Sequence, residues 1–535
     1  MAFLLCSLPC FFNSFGVIDD APFHLGRINS IIENLKQGNI IPTVYGDAIY
    51  GYGYGSAFFY PDLWLYVPAL FSLAGLPLIR SYQLFLLLIN LLVAVFFAAA
   101  TRSVVTRLRL RRRWPCSVTG YGSYFEKNFS QIAAVFFLLF PYRLHNMYFR
   151  GALGETLGFV FFPLAIYGML EILFTEKSGV KKLVAGLTGL VYSHLITLFI
   201  TGILLVVIAL CFHERFWKRC QLFARVLLLT FMLSALFLLP LAEQAMSNAF
   251  LFNVRQPFGL LSTHAFSTGL KIPAAAGILF SLTFITLVCS RVRRLADYGK
   301  CRELLVLYYI PVFFVFATSD LFPWQILEKL PLVSFIGFPW RLLMLAGFWG
   351  AIAFACFGIR LLENRKSLLF SASSGLFFFG AGAMVLYFAN LDKEFLAGSD
   401  YRPERLNIAH AEYLPADFSL ERLWKKNRRL ETATGSIELL QSSKHGNDAE
   451  FRFKTDGLVE KVIFPLIYYK GYGGTLNGKR VQLFSEQGLI GIEVGKSADC
   501  TVKITYQPTA TQYTGLIVTI LTATVLIWRR RVFCR

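Results

Sequence analysis

The chain has 535 residues, 56% of them hydrophobic and 16% aromatic, with a mean hydropathy of +0.56 and only 16% charged residues. A soluble protein carries about 25% charged residues, so a water-soluble globular enzyme is excluded for the chain as a whole. The formal charge of +20 does not point to nucleic acid: residues Leu391–Gln512 hold 17 Lys/Arg against 16 Asp/Glu, and the remainder holds 35 against 16. That excess lies in short loops between apolar runs, where cytoplasmic loops collect Lys and Arg; no nucleic-acid partner is expected.

The ten cysteines show no metal-type spacing, and only Cys500 falls in the large polar segment, so that segment has no internal disulfide.

In chain order, Met1–Val17 is apolar but lacks a basic leader and an A-x-A-like cleavage site, so Ala2–Ile18 is expected as a retained first span. Basic clusters at Arg102–Arg113, Glu176–Lys182, His213–Arg219, Ser290–Arg302, Arg360–Lys366 and Arg529–Arg535 should face the cytoplasm. An even number of spans must then separate neighbouring clusters. Before Arg102 lie three apolar stretches, Ala2–Ile18, Leu63–Ile79 and Tyr82–Thr101. With the N-terminus inside, one of them must not cross; Leu63–Ile79, with Pro68, Pro77 and Gly75, reads as an interfacial or re-entrant helix. By the same parity Leu183–Leu210 crosses twice, as two short helices turning near Ser193-His194, or not at all.

Further spans are expected at Phe129–Tyr142, Thr156–Phe174, Leu222–Gln244, Pro273–Cys289, Leu304–Thr318, Leu342–Gly358, Leu368–Ala389 and Tyr513–Trp528. The predicted fold is a polytopic α-helical membrane protein of about twelve spans, C-terminus cytoplasmic. Residues 1–390 form the transmembrane domain, with a first outer loop at 19–61 and the interfacial helix at 63–79. Residues 391–512 form a small extracytoplasmic β-rich domain, and residues 513–535 the last span and a basic tail. Strand-like runs occur at Gly435–Leu440, Glu450–Phe453, Lys461–Tyr468, Arg480–Phe484, Ile490–Val494 and Thr501–Tyr506, with Asn477-Gly478 as a hairpin signal, which suits a β-sandwich.

Ionisable groups near the outer membrane edge are the candidates for chemistry. Asp19 and Asp20 sit at the mouth of the first span; a carboxylate there could take a proton from an acceptor hydroxyl, hold a divalent ion, or only cap a helix. His24 and Arg27 follow one helical turn apart. Tyr45–Pro61 mixes Gly46, Gly51, Gly53 and Gly55 with tyrosines including Tyr54 and Tyr60, which suits sugar stacking or an interfacial belt. Arg143, His145 and Arg150 share one outer loop, Glu155 opens the next span, and His194 stands at the turn between two short helices. Arg341, in Phe338-Pro339-Trp340-Arg341, could pair a lipid phosphate or snorkel to the interface.

Taken together, Asp19-Asp20-Ala21-Pro22-Phe23-His24-Leu25-Gly26-Arg27, the Gly51-Tyr52-Gly53-Tyr54-Gly55 run, Phe149-Arg150-Gly151-Ala152 with Glu155, Ser193-His194-Leu195 and Phe338-Pro339-Trp340-Arg341 resemble the bacterial membrane family labelled "6-pyruvoyl-tetrahydropterin synthase-related". Glu412-Tyr413-Leu414-Pro415 and Tyr468-Tyr469-Lys470-Gly471-Tyr472 are similar to YfhO-type membrane proteins. The chain shows no His-rich zinc site, so the synthase label does not carry over. Both groups resemble the GT-C glycosyltransferases, and that resemblance implies a multi-pass protein of the bacterial plasma membrane. It would transfer a sugar from a polyprenyl-phosphate carrier to an envelope glycan or glycolipid acceptor on the outer face. It also implies an acidic residue of the first outer loop as base, Asp20 first and Asp19 second. Metal dependence stays open. A lipid-linked sugar flippase and a non-catalytic envelope assembly protein are the competing readings.

Overall fold

The computed structural model describes residues 1–11, 20–107, 122–175, 179–251, 302–319, 321–327, 329–330, 333, 335–363, 375, 377–386, 412–422, 429–495 and 498–533. Among them, five helices are long and apolar enough to cross a bilayer: Leu78–Ser103, Leu153–Phe174, Cys220–Ser247, Pro339–Cys356 and Ala510–Trp528. Shorter apolar helices occupy Ala2–Phe11, Leu63–Leu73, Asn128–Leu138, Leu195–Cys211 and Phe377–Leu386. The expected span Pro273–Cys289 and the residue Asp19 lie outside the described residues.

Local backbone conformation sets where the apolar helices end, and the two short helices expected within Leu183–Leu210 are present. The apolar stretch from Phe129 breaks at Phe140, which is extended (φ −60°, ψ 125°) because Pro141 follows it. The Leu183–Leu210 stretch is two helices, Val180–Val191 and Leu195–Cys211, with the turn ending at an extended His194.

The chain divides into two compact units. The first draws on Met1–Ala21, Ile79–Thr230 and Phe258–Tyr401. Its helices pack through small residues. A Cβ on Gly168 would stand 2.4 Å from the Leu183 nitrogen, and one on Gly186 would stand 2.4 Å from the Ala165 nitrogen. Such close backbone approach is how helices associate where lipid removes the hydrophobic drive between them. Aromatic contacts fill the rest: Phe97 stacks on Phe137 with ring centroids 4.3 Å apart, and Phe348 meets both edge-on.

The second unit draws on Pro22–Leu78, Phe231–Pro257 and Arg402–Arg535. Among the described residues its β region has eight antiparallel strands: β1 Ile437–His445, β2 Asp448–Thr455, β3 Lys461–Ile467, β4 Tyr472–Leu476, β5 Lys479–Val481, β6 Phe484–Glu486, β7 Leu489–Glu493 and β8 Asp499–Tyr506. They form a five-stranded sheet in the order β1-β2-β8-β4-β5 and a three-stranded sheet β3-β7-β6. Alternation explains the layering. Phe451 and Phe453 of β2 and Val502 and Ile504 of β8 all point inward, onto Phe464 of β3 and Ile490 of β7. Each such side chain contributes about 1.5–3 kcal/mol when fully buried. Asn477 (φ 50°) and Gly478 (φ 83°) make the left-handed turn between β4 and β5.

A second core in this unit explains the Gly/Tyr loop. Val44, Tyr52, Tyr54, Phe58 and Phe59 are buried with Leu414, Ile467 and Tyr469. The loop is strung on the β1–β2 hairpin. Lys444 donates to the carbonyls of Gly46 and Gly51, Asn447 donates to Val44 O at 2.8 Å, and Ile467 N–H donates to Tyr52 O at 2.9 Å. Gly46 is required by this approach, since a Cβ there would lie 2.0 Å from Gly446 O. At the base of the β region Gln244 makes a two-way clamp, its Nε2 donating to Lys470 O (2.7 Å) and its Oε1 accepting from Lys470 N–H (3.1 Å).

Candidate functional site

In the first unit, two short segments and two helix starts converge on one buried carboxylate. Pro141–His145 begins a helical stretch that widens into a π-turn over Asn146–Arg150, a distortion often found at functional sites. Gly151 ends it in the left-handed region (φ 63°), and Ala152 N–H returns to Asn146 O at 3.0 Å. This closure sets Arg150 beside the first turn of the Leu153–Thr175 helix, where Glu155 stands at the end that favours negative charge. From the other side, Phe338 is extended, Pro339 opens a 3-10 turn, and Arg341 is buried within it.

Glu155 is 2% exposed and is shared by two guanidinium groups. Arg150 Nη1 is 3.2 Å from its Oε2, and Arg341 Nε is 3.8 Å from the same oxygen. The Tyr142 hydroxyl donates to Oε1. Arg150 is oriented further by Asn146 Oδ1 at 2.9 Å, and Arg341 Nη1 by Ile336 O at 2.8 Å. Aromatic faces back both cations: Trp340 lies 5.9 Å from the Arg150 guanidinium carbon and Phe338 lies 4.9 Å from that of Arg341. His194 interacts electrostatically with Arg341, Glu155 and Arg150. It also caps the Leu195–Cys211 helix, its Nδ1 accepting from Thr197 N–H at 3.2 Å, which places the proton of a neutral ring on Nε2.

Asp20 completes the group. Its Oδ2 is 3.6 Å from Arg150 Nη2, and its side chain is 37% exposed. Its backbone N–H donates to Arg150 O at 2.7 Å, so the main chain stays beside Arg150 whatever the carboxylate does. Of the residues singled out by sequence, Asp20, Arg150, Glu155, His194 and Arg341 therefore come together, from positions up to 321 residues apart.

His24, Arg27, Tyr54 and Tyr60 belong to the second unit. Arg27 is 3% exposed and tied to its surroundings: it pairs with Asp62, donates to Tyr60 O and Pro61 O at 2.9 Å each, and approaches His24 Nδ1 at 3.3 Å. Its guanidinium lies 4.5 Å from the Tyr60 ring. The Tyr45 hydroxyl donates to the other oxygen of Asp62. Tyr54 is buried in the aromatic core, with Tyr413 at 6.2 Å.

Sequence reasoning missed four contributors: Asp62, Tyr45, Tyr142 and Asn146. Asn146 carried a signal, being four residues before Arg150 on a helical segment. Asp62 is 35 residues from its partner, and no local spacing could have found it.

A pair of guanidinium groups fixed by one carboxylate presents planar donors suited to an anionic oxygen group, phosphate above all. The carboxylates fit a divalent ion poorly, because the Glu155 oxygens are taken up by Arg150, Arg341 and Tyr142. Among the described residues no group of three or more His, Cys, Asp or Glu is placed to hold a metal ion. No protein-family model matches the chain, and no curated protein matches it, so the reading of this site rests on its residues and their geometry.

Proposed function

We propose that this chain is a multi-pass membrane glycosyltransferase of GT-C type that moves a sugar from a polyprenyl-phosphate carrier to an envelope glycan or glycolipid acceptor on the outer face of a bacterial plasma membrane. The observation that carries the reading is the Asp20–Arg150–Glu155–Arg341 cluster, in which a half-exposed carboxylate adjoins a buried pair of cations.

Asp20 accepts the proton of the acceptor hydroxyl as its oxygen attacks the anomeric carbon. The bond from that carbon to the carrier phosphate breaks, and the phosphate oxygen leaves with the electron pair. Arg150 and Arg341 bind the charge that develops on it. Glu155 holds both guanidinium groups in place, and His194 adds a polar wall. The motif resemblance to GT-C-like membrane proteins supports the same assignment, as do five helices of spanning length and composition.

A second reading, movement of the lipid-linked sugar without transfer, is favoured by Arg143 and Glu171. Both are fully buried charged residues of the helical unit, and such groups often mark transport pathways. Membranes containing the protein, supplied with a panel of polyprenyl-phosphate sugars, decide between the two. The proposal expects sugar from at least one donor on an acceptor. Movement of the carrier across the bilayer with no transfer from any donor would favour the second reading.

A further inference from the structure

The two carboxylates that meet Arg150 are held very differently. The Glu155 limb is buried, shorter at 3.2 Å, and reinforced by Arg341 and the Tyr142 hydroxyl. The Asp20 limb is 3.6 Å long and its carboxylate is 37% exposed. Half-exposed ion pairs of that length contribute about 0–1 kcal/mol, whereas a phosphate oxygen on a guanidinium makes charge-assisted hydrogen bonds of about 2.7–2.9 Å, frequently two in parallel. An arriving phosphate therefore outcompetes Asp20 for Arg150 but not Glu155. The backbone bond from Asp20 N–H to Arg150 O, at 2.7 Å, holds the main chain in place during the exchange, so that only the side chain needs to turn.

Building on the phosphate-binding role given to Arg150 above, we infer that a phosphate group and the Asp20 carboxylate are alternative occupants of Arg150, so that phosphate binding itself releases Asp20 into the site. Arg150 then reports the arrival of one substrate to the group that acts on the other. With no phosphate bound, Asp20 stays paired to Arg150 and is kept from premature chemistry.

Two occupants of one cation compete, which sets the sign of the test. The full-length protein in detergent is titrated with decyl phosphate and, separately, with inorganic phosphate, and binding is read by calorimetry. Asp20→Asn removes the competing charge and should tighten phosphate binding about 2–5-fold, the range set by an exposed pair worth up to about 1 kcal/mol. A gain of affinity cannot come from misfolding. Tightening with decyl phosphate alone identifies a lipid headgroup; tightening with both identifies a phosphate recognised without its chain; each supports the exchange. Weaker or unchanged binding of both probes by Asp20→Asn would overturn it, because Asp20 would then be holding the ligand or standing apart from it. The outcome is independent of sugar transfer. Should the panel of donors show no transfer, tighter binding in Asp20→Asn would still establish the exchange, and failure of the exchange would leave the transfer reading to its own assay.

Discussion

Arg27 and Arg150 are both buried arginines that meet an aspartate, yet their surroundings differ in kind. Arg27 faces one carboxylate, Asp62, that is itself nearly buried, and two backbone carbonyls, His24 Nδ1 and two aromatic rings also surround it. Arg150 shares a buried carboxylate with a second arginine and reaches a half-exposed one. The first arrangement ties a loop to the start of the Leu63–Leu73 helical segment. The second leaves a limb that a ligand can replace. A buried arginine is thus informative about function only once the exposure and number of its carboxylates are known.

The largest effect should follow from breaking the first arrangement. Arg27→Met leaves Asp62 buried without its cation and should cost about 3–5 kcal/mol, seen as a large drop in the thermal midpoint of the detergent-solubilised protein. A midpoint that barely moves would mean that the Arg27–Asp62 pair does not hold the loop.

Glu155→Gln should have a smaller structural cost, about 1.5–3 kcal/mol, because the amide keeps the shape and one acceptor but loses the charge-assisted hydrogen bonds. Sugar transfer should fall by more than stability explains, since Arg150 and Arg341 lose the group that orients them. Equal activity at equal folded concentration would remove the positioning role of Glu155.

The smallest effect is expected at Tyr60. Its ring faces the Arg27 cation and its backbone oxygen accepts from the same guanidinium. Tyr60→Phe keeps both contacts and should lower the midpoint far less than Arg27→Met, with transfer following the folded concentration. Loss of transfer with an unchanged midpoint would move Tyr60 from the loop anchor to a substrate surface.

The length of the apolar runs made the five long apolar helices legible, and alternation and turn signals did the same for the β region. Inward alternation in Phe451, Phe453, Val502 and Ile504 predicts two of the strands, and Asn477-Gly478 predicts their neighbouring hairpin. β4, Tyr472–Leu476, was not legible, because two of its five residues are glycines and its pattern has no alternation to read. Arg150, Glu155, His194 and Arg341 could be nominated because ionisable groups are costly at membrane depth. Their convergence could not be read, since it depends on the π-turn at Asn146–Arg150, the left-handed Gly151 and the 3-10 turn at Pro339–Leu342. The Gly/Tyr loop shows the opposite failure. Its composition suits sugar stacking, but Tyr52 and Tyr54 are core residues and Gly46 yields to the hairpin at Gly446.

Asp20 carries the most direct test of a catalytic base in this cluster. In one preparation, Asp20→Asn should leave the thermal midpoint within the roughly 1 kcal/mol that a half-exposed ion pair contributes, while sugar transfer falls by at least about 10²–10⁴-fold, the loss typical of a general base. Full transfer by the doubly substituted Asp19→Asn/Asp20→Asn protein would contradict the enzymatic reading of this cluster.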